Sequence, residues 1–524
     1  MVAVLVLVAA VRLRLSNFPL ERDEGEYAYA GQLLLQGIPP YQLAYNMKFP
    51  GTYAAYAVMM AVFGETPAGI HFGVLCVTTL TAWMLYRFGR RLFDEATGAV
   101  AATTYAVLAA SPQMFGLAGH ATHFCALFAT AGLCLLWPFG QHINWKRAAA
   151  GGLMFGLAVL MKQPAALLCL WGLALLVVDC RRQREIPLRI RLSPCVAFCL
   201  GVTLPFALTC LVLWRAGTFT QFWFWTITYA REYVSEVPWS WVPGLFFRCV
   251  SQIIEKAALL WLVAAAGLGL VCLNNRFRGA RRPLLGFAAV SFLATCPGFY
   301  FRTHYFLLTL PAVALVAGCA VHAAHQICRE KTRSPVAVSW PVCIYWLILA
   351  LTVFANREIW FQVTPVQAAR IIYLENPFAE SEVVSAFIRT NSPPDARVAV
   401  LGSEPQIYFL SQRRSATGYI YMYPLMEPQP FADRMQQDMI REIESARPEY
   451  VISVLVLTSW LSRPHSDTRL SDWWSHSYET NLTLIGAVAI NPTNASHYFW
   501  GTDVTNCPMP PKPGMLIYRR KVSE

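Results

Sequence analysis

AAAGGLMFGLAVLMKQPAALLCLWGLALLVVD, residues 148–179, is two apolar runs parted only by Lys162, Gln163 and Pro164. Each run approaches the length of a helix that crosses a hydrocarbon core of about 30 Å. One over-long helix is the other reading, but a polar pair followed by proline favours a turn at a membrane surface. The same pattern recurs along the chain. Spans are expected near 1–15, 68–86, 97–113, 121–138, 147–162, 164–179, 194–213, 252–273, 283–298, 304–322 and 336–355, about eleven helices in all. The 524 residues are 56% hydrophobic and 14% charged, with a mean hydropathy of +0.41. A soluble domain carries roughly 25% charged residues, so the chain is an integral membrane protein, and long unbroken runs exclude a β-barrel.

Basic residues set the expected orientation. Arg87, Arg90 and Arg91, then Lys146 and Arg147, then Arg181 to Arg191, Arg276 to Arg282, and Arg329, Lys331 and Arg333 all fall on one side if the spans alternate. That side is cytoplasmic by the positive-inside rule. The first outer loop, 16–52, the turn at Gln163, the aromatic loop 219–241, Arg302 to Tyr305 and everything after Phe354 then lie outside. The net charge of +12 follows from arginine loops beside anionic membrane lipid. Nucleic-acid binding is excluded, because these residues are scattered among loops without a recognition motif. Of the 15 cysteines, all but Cys507 lie within or beside the apolar part, and no disulfide framework or zinc spacing is present.

The pattern changes in the tail. ESEVVSAFIRTNSP and MQQDMIREIESARPEY read as helices, ARVAVLG and YVISVLVL as buried strands, QIYFLSQR as helix or strand, and LTLIGAVAI and GMLIYRR as late strands. The expected architecture is therefore a polytopic α-helical membrane domain over 1–355, followed by an extracytoplasmic α/β domain over 356–524.

Chemistry concentrates in the outer loops. FPLERDEGEYAYAG, residues 18–31, carries Asp23, Glu24 and Glu26 within one turn, and YAYAGQLLLQG reads as an amphipathic interfacial helix. Partial desolvation there would raise a carboxylate toward a useful general-base value, and Asp23 with Glu24 form the candidate catalytic pair. The alternative is a solvated loop. Lys48 in YNMKFPG is either a snorkelling lysine or a phosphate ligand, and Lys162, Arg302 and His304 can join it at the same surface. His120 and His123 in GLAGHATHF share a helix face at spacing i, i+3. They are candidate polar substrate contacts or interfacial anchors, and make a weak metal set without a placed carboxylate. The loop FTQFWFWTITYAREYVSEVPWSW is an interfacial belt or a platform for stacking on a sugar.

In order, RDEGEYAYAG, YNMKFPG, GHATHF, GLAVLMKQPA and RTHYFLLTLPAVALVAG resemble the bacterial GT-C superfamily, in particular its protein-mannosyltransferase-like and aminoarabinose-transferase-like glycosyltransferases. The resemblance covers about the first 355 residues. VAVLGSEPQIYFLSQRRSATGYIY in the tail is similar to the C-terminal domain of bacterial relatives. The resemblance implies an enzyme of the cell inner membrane that takes sugar from a polyprenyl-phosphate donor to a hydroxyl of a lipid, glycan or protein acceptor on the extracytoplasmic side. It places Asp23 at the family's catalytic position, with Glu24 beside it. It also matches KFP at Lys48 to a Lys-Pro-Pro donor-phosphate motif, with Phe49 replacing the first proline. Lys162, Arg302, His304 and Tyr305 fall where it expects polar cavity groups. An inverting displacement follows, with no nucleotide site, no cofactor required and a divalent metal left open. A transporter or lipid flippase is the competing class, in which Asp23 and the cations would bind or relay; a non-catalytic scaffold is the third. Neither an inverted repeat nor a midplane charge supports the transporter.

Overall fold

The computed structural model describes residues 1–139, 143–332, 334–491, 494–506 and 514–521; Arg333 and Cys507 lie outside them. The first 355 residues form α1 (Val2–Arg14), α2 (Arg22–Leu35), α3 (Gly51–Phe63), α4 (Pro67–Leu92), α5 (Glu95–Ala109), α6 (Ala121–Leu136), α7 (Trp145–Met161), α8 (Ala166–Arg182), α9 (Leu188–Arg215), α10 (Val242–Ile254), α11 (Ala258–Leu273), α12 (Arg278–Leu293), α13 (Leu310–Lys331) and α14 (Pro335–Ala355), with short helical pieces between. The apolar stretches of the sequence reading fall on these helices, except that 252–273 straddles the break between α10 and α11. Among the described residues, five helical stretches are long and apolar enough to cross a membrane: Pro67–Leu92, Gln163–Arg182, Leu188–Arg215, Thr303–Lys331 and Val338–Ala355. The pair Trp239–Ile254 and Ala258–Leu273 would make a sixth, bent by 110°. Gln163 and Pro164 begin a 3-10 turn after α7, so 148–179 is two helices and not one.

Two ends of the bundle are chemically distinct. His304 lies in the 3-10 turn before α13 and Arg329 and Lys331 in its last turn; a helix of 22 residues separates them by about 33 Å. Around the arginine end, His322 Nδ1 lies 2.7 Å from Asp94 Oδ2, Arg276 pairs with Glu330, and Phe93 stacks on His322.

The tail builds one six-stranded sheet from β1 (Arg397–Leu401), β2 (Arg414–Ser415), β3 (Tyr450–Val454), β4 (Leu482–Ala489), β5 (His497–Trp500) and β6 (Met515–Arg520), in the order β2-β1-β3-β6-β4-β5. β1 runs parallel to β2 and β3, while β6 is antiparallel to both β3 and β4. β1 and β3 are almost wholly buried, as their unbroken apolar runs require. QIYFLS resolves as a helix, Gln406–Ser411. The fourteen cysteines among the described residues are unpaired.

α2 positions the site, and here the sequence expectation needs correcting. Instead of lying half-exposed at an interface, α2 is buried continuously from Glu24 to Leu33. Two glycines on it explain why. A Cβ on Gly25 would stand 2.5 Å from the Gln406 nitrogen of the tail, and one on Gly31 would stand 3.0 Å from the Ala57 nitrogen of α3. With hydrogen in place of side chains, α2 is clamped between the bundle and the tail domain. Its N-terminus is fixed by a capping box: Glu21 Oε1 accepts from the Glu24 nitrogen at 3.0 Å, and Glu24 Oε2 accepts from the Glu21 nitrogen at 3.5 Å. Arg22 ties the same turn to the tail, donating to the Ser403 carbonyl at 2.5 Å and pairing with Glu404 at 2.6 Å.

Candidate active site

Asp23 and Glu26 are three residues apart and share one face of α2, and Lys48 reaches both. Its Nζ lies 2.7 Å from Asp23 Oδ1 and 2.6 Å from Glu26 Oε2, and 4.6 Å above the Tyr27 ring. The loop bearing Lys48 is itself held: Tyr41 Oη donates to the Lys48 carbonyl at 2.7 Å, and Gln163 Nε2 to the Met47 carbonyl at 2.6 Å. Tyr53 Oη completes the shell of Glu26 at 2.6 Å.

Glu24 points elsewhere. Its Oε1 accepts from the Gly119 nitrogen at 2.5 Å and lies 3.1 Å from His71 Nε2, whose ring Nδ1 meets the Ser16 carbonyl at 2.7 Å. Glu24 is completely buried and does not line the cavity described below. The structure thus groups Asp23 with Glu26, not with Glu24, because successive helix positions diverge by about 100°.

Asp23 opens onto a cavity of about 420 Å³. Lys48, Lys162, Arg302, His304 and Tyr305 line it too, together with Tyr229 and Tyr233 of the aromatic loop and Tyr421, Tyr423 and Glu427 of the tail. Lys162 Nζ sits 3.4 Å over the Tyr305 ring, and the Arg302 guanidinium 5.8 Å from the Tyr300 ring centroid. Among the described residues neither Lys162 nor Arg302 has a carboxylate within ion-pair distance, whereas Lys48 has two. The cavity therefore presents two unpaired cations beside the carboxyl groups of Asp23 and Glu427.

Oδ1 of Asp23 is occupied twice, by Lys48 and by Tyr421 Oη at 3.1 Å. Oδ2 lies 3.8 Å from His304 Nε2 and 4.0 Å from His120 Nδ1, beyond hydrogen bonding to either. Burial alone would raise the Asp23 carboxyl, but Lys48, then His304 and His120, outweigh it and hold it well below the usual carboxylate range. This corrects the sequence expectation of a raised value: the desolvation is present, and the Lys48 ammonium overrides it. Glu26 is raised, chiefly by burial and against Lys48.

His120 and His123 do not act together. His120 precedes α6 and stacks on His304, with centroids 4.1 Å apart and planes 9° from parallel. His123 is buried away from the cavity lining, and neither ring nitrogen finds a partner among the described residues. Asp23, His120 and His304 offer donor atoms within 4.8 Å of one another. Both nitrogens of His120 and Nδ1 of His304 are buried without a hydrogen bond, and burial lowers His120 to about 4, so its imidazole is neutral. One carboxylate and two neutral imidazoles fit a divalent cation.

Sequence reasoning named Glu26 without giving it a role and missed the residues that the tail contributes. Glu26 was signalled by its i, i+3 relation to Asp23. Tyr421 and Glu427 come from the tail and carried no local signal. The aromatic loop divides: Thr226, Tyr229 and Tyr233 wall the cavity, whereas Trp239 and Trp241 are exposed.

Residues 48–209 match the protein family described as dolichyl-phosphate-mannose-protein mannosyltransferase. No curated protein sequence matches the chain. Among solved structures, ArnT from Cupriavidus metallidurans bound to undecaprenyl phosphate is similar over 100% of this chain and 97% of its own, with TM-score 0.61 and 16% identity. The Archaeoglobus fulgidus oligosaccharyltransferase in complex with Zn and sulfate covers 97% of this chain and 74% of its own, with TM-score 0.54 and 14% identity. AglB from Archaeoglobus fulgidus, in complex with an inhibitory peptide and a dolichol-phosphate, covers 97% and 75%, with TM-score 0.51 and 13% identity. The chain has the fold of the GT-C superfamily, as its sequence motifs resemble. Family match and fold together support a multi-pass membrane glycosyltransferase.

Proposed function

We propose that this protein transfers a sugar from a polyprenyl-phosphate donor to an acceptor hydroxyl, with inversion at the anomeric carbon. The observation that carries this reading is the carboxylate of Asp23 facing, across one cavity, the unpaired cations Lys162 and Arg302. Lipid phosphates bound to ArnT and AglB support the donor class, as does the match of residues 48–209 to the family described as dolichyl-phosphate-mannose-protein mannosyltransferase.

In this mechanism Lys162 and Arg302 hold the donor phosphate, and Lys48 and Tyr421 fix Asp23 through Oδ1. Oδ2 stays free for the acceptor. The acceptor oxygen forms its bond to the anomeric carbon as the bond from that carbon to the phosphate oxygen breaks, and its proton passes to Asp23 Oδ2. Polyprenyl phosphate leaves with the electron pair and meets the two cations, whose effect is greatest where charge develops. A carboxylate of low basicity suffices, because the hydroxyl becomes acidic only as it bonds to carbon. His120 and His304, with Oδ2 of Asp23, would hold a divalent cation, which would add positive charge there at the expense of the basicity of Oδ2.

In the same proposal about eleven spans carry the arginine loops on the cytoplasmic side of the plasma membrane, with the cavity and tail outside. The test is release and transfer of sugar from a polyprenyl-phosphate sugar by protein in lipid nanodiscs, with and without Asp23→Asn. Donor turnover that persists in that variant would remove Asp23 from the chemistry; no turnover of any such donor by wild type would remove the transferase reading.

A further inference from the structure

The tail does more than cover the bundle. Its segment Tyr421–Glu427 forms one wall of the cavity, and it is pinned in place. The Met422 nitrogen donates to Ser403 Oγ at 2.9 Å, Tyr423 Oη to the Thr458 carbonyl at 2.8 Å, and Gln429 Nε2 to the Pro424 carbonyl at 2.7 Å. On this wall sits Glu427, only 7% exposed yet lining the cavity. Tyr229 Oη, from the aromatic loop, donates to its Oε2 at 2.5 Å. Its second oxygen has no hydrogen-bond partner among the described residues.

With one oxygen held by Tyr229 and the residue lining the cavity, the other oxygen can receive donors from a ligand. Phenol rings share the cavity with it: Tyr229, Tyr423 and Tyr233, the last stacked on Tyr300 at 4.6 Å and 15°. Carboxyl oxygens beside flat aromatic faces match a pyranose, which offers adjacent hydroxyl donors and an apolar C–H face. An aromatic box with a carboxylate also suits an ammonium group, but here burial raises the Glu427 carboxyl to about 7, with Arg463 and Arg302 acting on it against Glu236. Lys162 and Arg302 line the same cavity without a carboxylate partner among the described residues, while Asp23 is already paired with Lys48. A cationic ligand is disfavoured and a neutral polyol is not.

We propose that Glu427, with Tyr229 and the Tyr233 and Tyr300 stack, forms a saccharide subsite that selects a glycan or glycolipid acceptor. This rests on the transferase reading and names the acceptor class for it. Glu427 accepts hydrogen bonds from ring hydroxyls and acts on specificity, not on the displacement at Asp23.

The experiment is saturation-transfer NMR on the full chain in lipid nanodiscs, free of glycoside detergents. Probes are octyl β-glucoside and octyl α-mannoside below their micellar concentrations, with octanol and octylammonium as controls. Saturation of tyrosine ring protons is expected to pass to pyranose protons for at least one glycoside. Glu427→Ala should weaken that glycoside several-fold to about tenfold, as loss of a hydrogen-bond partner does. Glu427→Gln, which keeps an acceptor for Tyr229 and the shape of the wall, should weaken it less. Equal transfer to octanol or octylammonium, or wild-type affinity in a Glu427→Ala protein that melts as wild type does, overturns the subsite. Should Glu427→Ala not fold, unchanged glycoside affinity in both Glu427→Gln and Tyr229→Phe overturns it too. Donor turnover is read separately: glycoside binding without turnover leaves the subsite and removes the transferase, and turnover without glycoside binding does the reverse.

Discussion

Lys48 Nζ and Asp23 Oδ1 are 2.7 Å apart, and this contact decides which oxygen of the carboxylate meets substrate. With Tyr421 on the same atom, Oδ1 is committed and Oδ2 is not. In the proposed mechanism Lys48 therefore orients Asp23, and phosphate binding falls to Lys162 and Arg302.

Asp23→Asn should lower transfer by about 10²–10⁴-fold, the usual range for losing a general base, while donor affinity stays near wild type. The amide can still accept from Tyr421, so the fold is retained. Comparing turnover with donor binding on the same preparation checks the split.

Glu24→Ala should reduce thermal stability without raising the donor dissociation constant. It leaves the Gly119 nitrogen and His71 Nε2 unpaired in a buried place, and an unsatisfied buried donor costs about 1–3 kcal/mol. Glu26→Gln should behave differently, lowering turnover because Lys48 loses one of its two carboxylates. Melting curves and turnover of the two variants together separate a supporting carboxylate from one that belongs to the site.

That contrast marks what the sequence made legible. Hydropathy located the helices, since each span needs a contiguous apolar run, and buried strands such as YVISV announced themselves in the same way. The motif-bearing loops led to Asp23, Lys48, Lys162 and Arg302. Adjacency in sequence was a poorer guide than helical phase, which is why Glu24 stood in for Glu26. Tyr421 lies 398 residues from Asp23, and no local pattern encodes a contact of that range. The Gly25 contact with Gln406 that docks the tail is equally silent, because a glycine shows no partner until the fold supplies one.

Lys162→Ala and Arg302→Ala should each weaken binding of a polyprenyl-phosphate analogue about ten- to a hundredfold, given roughly 1.5–3 kcal/mol for a charge-assisted bond. Together they should cost less than the sum, because both address one phosphate. A dephosphorylated lipid should bind wild type and variants alike. Strict additivity would place the two cations on different groups.

Topology is checked by cysteine labelling in a background stripped of accessible native cysteines. A cysteine at Arg184 should react only with cytoplasmic reagent, and one at Arg441 only with external reagent, because arginine-rich loops stay inside and an odd number of spans separates the two. Both positions are exposed. Labelling of both from one side would show that a helix counted as a span does not cross.

Donor affinity should also depend on pH through Lys162. Burial brings its ammonium down to about 7, with Asp23 opposing and Lys48 and Arg302 reinforcing the shift. Only the protonated form attracts phosphate, so affinity is full below about pH 7 and falls as pH rises through that value, approaching tenfold per unit until the pKa of the phosphate-bound state is reached. The folded protein, by contrast, gains stability over the same range, because the lowered pKa means that the fold disfavours the charged lysine. A phosphodiester-linked donor analogue carries no group titrating near neutrality, which leaves the protein as the source of the effect. Lys162→Arg, charged throughout, should flatten the profile between pH 6 and 9, whatever it does to affinity itself. A wild-type profile that is already flat would assign phosphate binding to Arg302 alone.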